Sequence, residues 1–213
     1  MKDIVIIGAG GFAREAAWLI EEINEESPQW NILGFVSRRI NDIGEYNGKY
    51  KIVLADEFLQ NIDHEIHVAI GNGSPLAIAN IINNFKDNKY IRFPNLIHPS
   101  AKGDRERIRM GEGNIICAGN IFTTDIIIGS YNIFNLSCTI GHESVIGDCN
   151  VINPGTNISG WVHIGDRNVI GTGTKILEKL EIGSETTIGA GSVLTKHALK
   201  PGTYVGVPAK KIK

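Results

Sequence analysis

The sequence is poor in cysteine, has no excess of charge of one sign, and contains no long apolar run. Its only cysteines are Cys117, Cys138 and Cys149. An odd number with no C-x-x-C spacing indicates neither a disulfide framework nor a zinc site, so no metal is expected and a reducing cytoplasm is the expected compartment. The 21 basic and 23 acidic residues are interspersed and leave a formal net charge of −2. That balance offers no electrostatic footprint for nucleic acid or an anionic membrane, which leaves a small molecule or another protein as the partner. No apolar stretch reaches the roughly 18 residues a membrane span needs. The apolar start, Ile4–Ile7, is too short for the core of a signal peptide and reads as a first buried strand.

What the sequence does contain is a repeat. An apolar residue recurs at every sixth position from Met110, Ile116, Phe122 and Ile128 through to Leu194 without a break in register. Glycine often follows it, as at Gly111, Gly129, Gly141, Gly147, Gly165, Gly171, Gly183 and Gly189. The fourth position after it is small or polar, as at Asn114, Asn132, Asn150 and Asn168. Neither a helix nor a lone strand has this period. It describes one short strand and one corner of a β-solenoid, whose stacked coils bury a column of like side chains. Glycine and asparagine read as corner residues, because both tolerate positive φ.

Residues 1–95 follow different rules. Strand Ile4–Ile7 leads through a glycine-rich turn into a helix carrying Ala16, Ala17, Leu19, Ile20 and Ile23 at helical spacing, then into a strand at Ile32–Val36. Asn47-Gly48 marks a hairpin, a short helix is expected over Asp56–Gln60, and His67–Ile70 is a further strand. Ser74 and Pro75 open a helix running to about Lys86. The alternation predicts a small parallel α/β domain of Rossmann-like type over 1–95, a junction over 96–109, a solenoid over 110–198 and a cap over 199–213.

The turn from Gly8 to Ala13 reads G-x-G-x-x-A between a strand and a helix, so its amides can meet a phosphate. A nucleotide diphosphate, a nicotinamide dinucleotide and a purely structural tight turn all remain open. A dinucleotide would call for an acidic residue after the second strand, where Ser37, Arg38 and Arg39 stand instead. The two arginines suit either a phosphate or a solvated face.

Several motifs together carry a family resemblance. They are Ile97-His98-Pro99-Ser100-Ala101, Gly141-His142-Glu143 before Val145-Ile146-Gly147-Asp148, Ile188 to Val193, and Gly206-Val207-Pro208-Ala209-Lys210. With the uninterrupted hexads, they resemble the hexapeptide-repeat acyltransferases. The glycine-rich N-terminal domain makes the whole chain similar to the branch that acetylates nucleotide-linked 4-amino-dideoxy sugars, with its sialic acid O-acetyltransferase relatives.

The resemblance implies a left-handed parallel β-helix, a homotrimer with acetyl-CoA between neighbouring rods, and a UDP- or dTDP-sugar on the N-terminal domain, for surface glycan synthesis. It makes His142 the general base with Glu143 as its partner. It assigns CoA and substrate contacts to Gly171, Thr172, Gly189 and Ala190, and nucleotide-sugar contacts to Gly10, Gly11, Phe12, Ser37, Arg38 and Gly71. O-acetylation of sialic acid or another sugar hydroxyl is the alternative reaction. Two positions depart from the resemblance: Ser37-Arg38 stands where many relatives carry an acidic pair, and Val151 where some carry a second histidine. Trp161 stands where relatives carry a small or polar residue, and is expected at a subunit face or against CoA. The cysteines read as small packing residues.

Overall fold

The computed structural model describes Met1–Lys213 apart from the side chain of Phe58. The N-terminal part comprises β1 (Lys2–Ile7), α1 (Gly11–Glu26), β2 (Trp30–Ser37), β3 (Tyr46–Asn47), β4 (Tyr50–Ala55), α2 (Asp56–Gln60), β5 (Ile66–Ile70), α3 (Pro75–Phe85) and β6 (Ile91–Arg92). Its sheet has the order β3-β4-β2-β1-β5-β6 and is parallel except where β3 folds back on β4. Ile4 to Ile7 are buried on both faces, as a central strand of a covered parallel sheet requires. Helix α1 covers the sheet with Ala13, Ala16, Ala17, Leu19, Ile20 and Ile23. Helix α3 begins where Ser74 Oγ accepts the Ala77 amide at 3.4 Å and Pro75 takes the first turn.

From Leu96 onward the chain winds as a left-handed β-helix with three faces built from short parallel strands. In the regular coils each strand pairs with the one 18 residues on, as Ile115–Ile116 does with Ile133–Phe134, so one coil is three hexads. The aliphatic column from Ile116 to Leu194 forms one continuous apolar cluster. The winding begins before the regular hexads: Leu96–Ile97 pairs with Ile115–Ile116, and Lys102–Gly103 with Ile121–Phe122. The charged run Asp104–Arg109 is the enlarged corner of that first coil, turned by the Asp104 carbonyl accepting the amides of Arg107 and Ile108. At the far end, strand Gly202–Gly206 adds to Thr186–Ile188 and pairs antiparallel with Ala209–Lys211.

The corners work differently from the sequence reading. The left-handed backbone falls on the third residue after each aliphatic, including Asp125, Tyr131, Glu143, Cys149, Trp161 and Lys179, and not on the asparagines. The asparagines are fully buried and form a ladder inside the rod. Asn132 Oδ1 accepts both the backbone amide (2.9 Å) and the side-chain amide (3.0 Å) of Asn150, and Asn150 Oδ1 does the same for Asn168. The glycine after the aliphatic is required by closeness instead: a Cβ on Gly129 would lie 2.1 Å from Asp148 Oδ1 and 2.7 Å from the Gly147 carbonyl.

The α/β domain and the rod share one apolar cluster. Ile115, Ile133 and Val151, on the outer side of the first face, join it together with Ile23, Phe93 and Leu96. Glu22 of α1 also contacts His98 Nε2. Val151 is therefore buried in this cluster.

Candidate active site

The sheet order puts β2 and β5 on opposite sides of β1, so a crevice opens beyond their carboxyl ends, where α/β folds bind ligands. The crevice is shaped by glycine. Gly8 has φ +110°, and a Cβ there would sit 2.8 Å from the Gly71 carbonyl; one on Gly71 would sit 2.7 Å from Ala13 Cα. Gly10 caps α1 without any side-chain bond, and nothing lies within 4 Å of the Cβ positions of Gly10 or Gly11. The first amides of α1 thus border open space, with Phe12 in the same turn packing partly buried against the core.

Ser37, at the end of β2, donates its hydroxyl to Asp42 Oδ2 at 2.6 Å and accepts the Arg39 amide at 3.2 Å. Arg38 acts electrostatically on Asp56, whose carboxyl burial pushes up against the pull of that guanidinium. On the other rim, Asn47 Nδ2 donates to the Ala9 carbonyl at 3.0 Å and Asn47 Oδ1 accepts from Arg14 Nη1 at 2.8 Å. The β3–β4 hairpin is thereby tied to the glycine turn.

On the rod, His142 and Glu143 form the corner that follows strand Thr139–Ile140. Glu143 has φ 54°, which turns its carboxylate back onto His142 Nδ1. A carboxylate can only accept here, so in the neutral imidazole Nδ1 carries the proton and Nε2 the lone pair. Among the described residues Nε2 has no hydrogen-bond partner, and the side chain is 45% exposed. The ring lies over Gly160 of the next coil, and the Trp161 ring stands perpendicular to it with centroids 4.6 Å apart. A base with an open nitrogen, a carboxylate behind it and a fixed ring plane can accept a proton from an attacking nucleophile.

Gly171, Thr172, Gly189 and Ala190 stack in adjacent coils of another corner, the one following the first face. The Gly191 amide donates to the Thr172 carbonyl at 2.8 Å, and a Cβ on Gly171 would meet Ala190 N at 2.5 Å. Thr172 and Ala190 are exposed there. The winding therefore brings these four together, and brings Gly10, Gly11 and Gly71 together, but it does not bring either group onto the corner of His142.

Comparison with known proteins bears on this arrangement. The PglD N-terminal domain family matches residues 3–75, and the bacterial transferase hexapeptide (six repeats) family matches residues 162–196. The acetyltransferase domain of PglB from Neisseria gonorrhoeae FA1090, solved in complex with acetyl coenzyme A, is 25% identical. It superposes with a TM-score of 0.89 over 99% of each chain. The chain thus joins a PglD-type N-terminal domain to bacterial transferase hexapeptide repeats. Two further structures share this fold. A mutant of perosamine N-acetyltransferase from Caulobacter crescentus, in complex with CoA and GDP-perosamine, has 24% identity and a TM-score of 0.88, covering 100% of this chain and 98% of that one. WeeI from Acinetobacter baumannii AYE has 24% identity and a TM-score of 0.85, with both chains fully covered. No curated protein sequence matches the chain significantly.

Sequence reasoning missed Asp42, Asn47, Arg14 and Gly160. Asn47 was legible only as a turn residue, and Asp42 lies in a 3-10 turn, Ile40–Asp42, with no signal of its own. Gly160 could have been found by adding one coil of 18 residues to His142. The same step places Trp161 above Glu143.

Proposed function

We propose that the enzyme transfers an acetyl group from acetyl-CoA to the 4-amino group of a nucleotide-linked 4-amino-4,6-dideoxy sugar, with His142 as general base, for surface glycan synthesis in the cytoplasm. The observation that carries this reading is the His142 ring, tethered at Nδ1 by Glu143 with Nε2 open to solvent. It is supported by the acetyl-CoA and GDP-perosamine complexes of proteins with this fold.

In the reaction the amine lone pair attacks the thioester carbonyl carbon, forming the C–N bond while the carbonyl oxygen becomes an oxyanion. Nε2 takes the proton that the nitrogen loses, and Glu143 stabilises the imidazolium. Collapse breaks the C–S bond, and the departing thiolate receives that proton, releasing CoA as the thiol. General base catalysis of this kind contributes about 10² to 10⁴ in rate.

In this reading residues 1–95 hold the nucleotide sugar, with Gly10, Gly11, Phe12, Ser37, Arg38 and Gly71 around the diphosphate and base, and residues 110–198 carry the transfer site. Thr172 and Ala190 line the CoA path. Because they occupy a different corner from His142, a site that uses both takes them from neighbouring rods, which is the argument for a homotrimer.

The test incubates the protein with acetyl-CoA and UDP-, dTDP- and GDP-linked 4-amino sugars, beside sialic acid, and follows thiol release and product mass. Turnover of a 4-amino sugar is expected, with a product heavier by one acetyl group. Thiol release only with sialic acid overturns N-acetylation in favour of O-acetylation, and no release with any acceptor overturns the reading as a whole.

A further inference from the structure

Trp161 is expensive where it stands. Its φ of 54° lies in the left-handed region, which a bulky side chain enters at a cost and which glycine or asparagine would occupy more cheaply. The fold demands that backbone at every corner, but it does not demand an indole: the coils are tied here by the Trp161 amide donating to the His142 carbonyl at 2.8 Å. Nor does burial account for the side chain, since Trp161 is 45% exposed. What the ring does touch is specific. It stands perpendicular to the His142 imidazole, and the Lys179 ammonium lies 5.6 Å from its centroid.

The imidazole is held by three things: Glu143 at Nδ1, the bare backbone of Gly160 beneath it, and the Trp161 ring beside it. The Glu143 contact fixes one nitrogen but leaves the ring free to swing about that point. Gly160 gives it room without gripping it. The indole, standing edge-on beside it, blocks a swing sideways, and the Lys179 ammonium lies over the indole in turn.

We propose that Trp161, backed by Lys179, is a positioning residue that fixes the ring plane of His142 and so the direction of its Nε2 lone pair. This rests on His142 being the base. It assigns Trp161 a role in turnover and none in donor binding, against the sequence expectation that places it at a subunit face or on CoA. Strained residues kept at a working site commonly have such a role.

The experiment compares the wild type with Trp161→Asn and Trp161→Phe in steady-state acetyl transfer and in thermal unfolding. Asparagine suits the left-handed corner, so Trp161→Asn is expected to unfold no earlier than the wild type. Its kcat should fall about tenfold, as misplacing a reacting group by a fraction of an ångström does, while KM for acetyl-CoA stays within about twofold. Trp161→Phe, which keeps a ring, should recover most of the loss. A raised KM with unchanged kcat places the indole on CoA and overturns the proposal, as does wild-type kcat in Trp161→Asn.

A second measurement does not need turnover. Indole fluorescence is quenched by a neighbouring imidazolium, so the wild type should show a pH-dependent step that His142→Ala lacks. The same comparison cancels Trp30, which stands 5.2 Å from His67. Absence of a His142-dependent step overturns the contact itself. If the wild type transfers no acetyl group but shows that step, the assigned reaction fails while the contact stands.

Discussion

Gly160 lies directly beneath His142, one coil further along the rod: a Cβ on Gly160 would stand 2.7 Å from both Cε1 and Nε2 of the imidazole. Real atoms do not approach so closely, so any side chain at this position displaces the ring. Gly160 has no positive φ. The glycine is there for clearance and not for backbone freedom.

Gly160→Ala is therefore expected to keep the fold, since its backbone conformation suits alanine, and to lower kcat at least about tenfold by moving the base. KM for the nucleotide sugar should be nearly unchanged. Steady-state kinetics beside a circular-dichroism melt check this, and a variant with wild-type kcat would show that the ring does not rest on Gly160 during catalysis.

The asparagine ladder sets up a stability prediction. Asn150→Ala leaves the backbone and side-chain amides of Asn168 without their acceptor and takes from Asn132 Oδ1 one of its two donors, all inside the rod. Orphaned buried groups of this kind cost about 1 to 3 kcal/mol each, so a loss of at least about 2 kcal/mol is expected. Asn157→Ala is the control, because Asn157 is exposed and makes one surface bond to Thr139; it should cost less than about 1 kcal/mol. Urea unfolding distinguishes the two, and equal midpoints would refute a special role for the ladder.

Alkaline pH should destabilise the fold. Burial pushes the Cys117 thiol up to about 12, and the Cys138 and Cys149 thiols up to about 11. In the unfolded chain a thiol ionises near pH 8.5 or so, at about its ordinary value. Between that value and the folded ones the native state keeps protons that the unfolded state has released. Stability is thus full below about pH 8.5 and declines as pH rises through the interval. The urea midpoint at about pH 10 should lie below that at pH 7, and the difference should shrink in Cys117→Ala. No shrinkage would show that other groups carry the effect.

The hairpin clamp makes a prediction for the other substrate. Asn47→Ala removes both the bond to the Ala9 carbonyl and the acceptor of Arg14. The β3–β4 hairpin is then free of the glycine turn. KM for the nucleotide sugar is expected to rise several-fold, on the order of what losing one or two exposed hydrogen bonds produces, with kcat and KM for acetyl-CoA unchanged. A variant indistinguishable from the wild type in all three would place the nucleotide elsewhere.

Much of this was legible in the chain itself, for reasons that differ by region. The six-residue period specified the rod because one short strand and one corner recur with a fixed length, and only stacking buries the column from Ile116 to Leu194. The N-cap at Ser74 and the short helix at Asp56–Gln60 were readable because capping is a local interaction. The corner asparagines were misread for the same reason: taken alone, Asn suggests a left-handed turn, whereas its neighbour here is another Asn a whole coil away.

The amino-acid order by itself thus determined the two architectures, the register of the coils and the pairing of His142 with the adjacent Glu143. Tertiary structure decided what those local elements meet. It laid Gly160 and Trp161 against His142, brought Asp42 to Ser37 and Asn47 to Ala9, and buried Val151 in the cluster shared with the α/β domain. It also set Thr172 and Ala190 on a different corner from the base. Periodicity and capping act over a few residues and leave a pattern in sequence, while contacts made by coil stacking and domain packing join residues with no common pattern, so only the folded chain shows them.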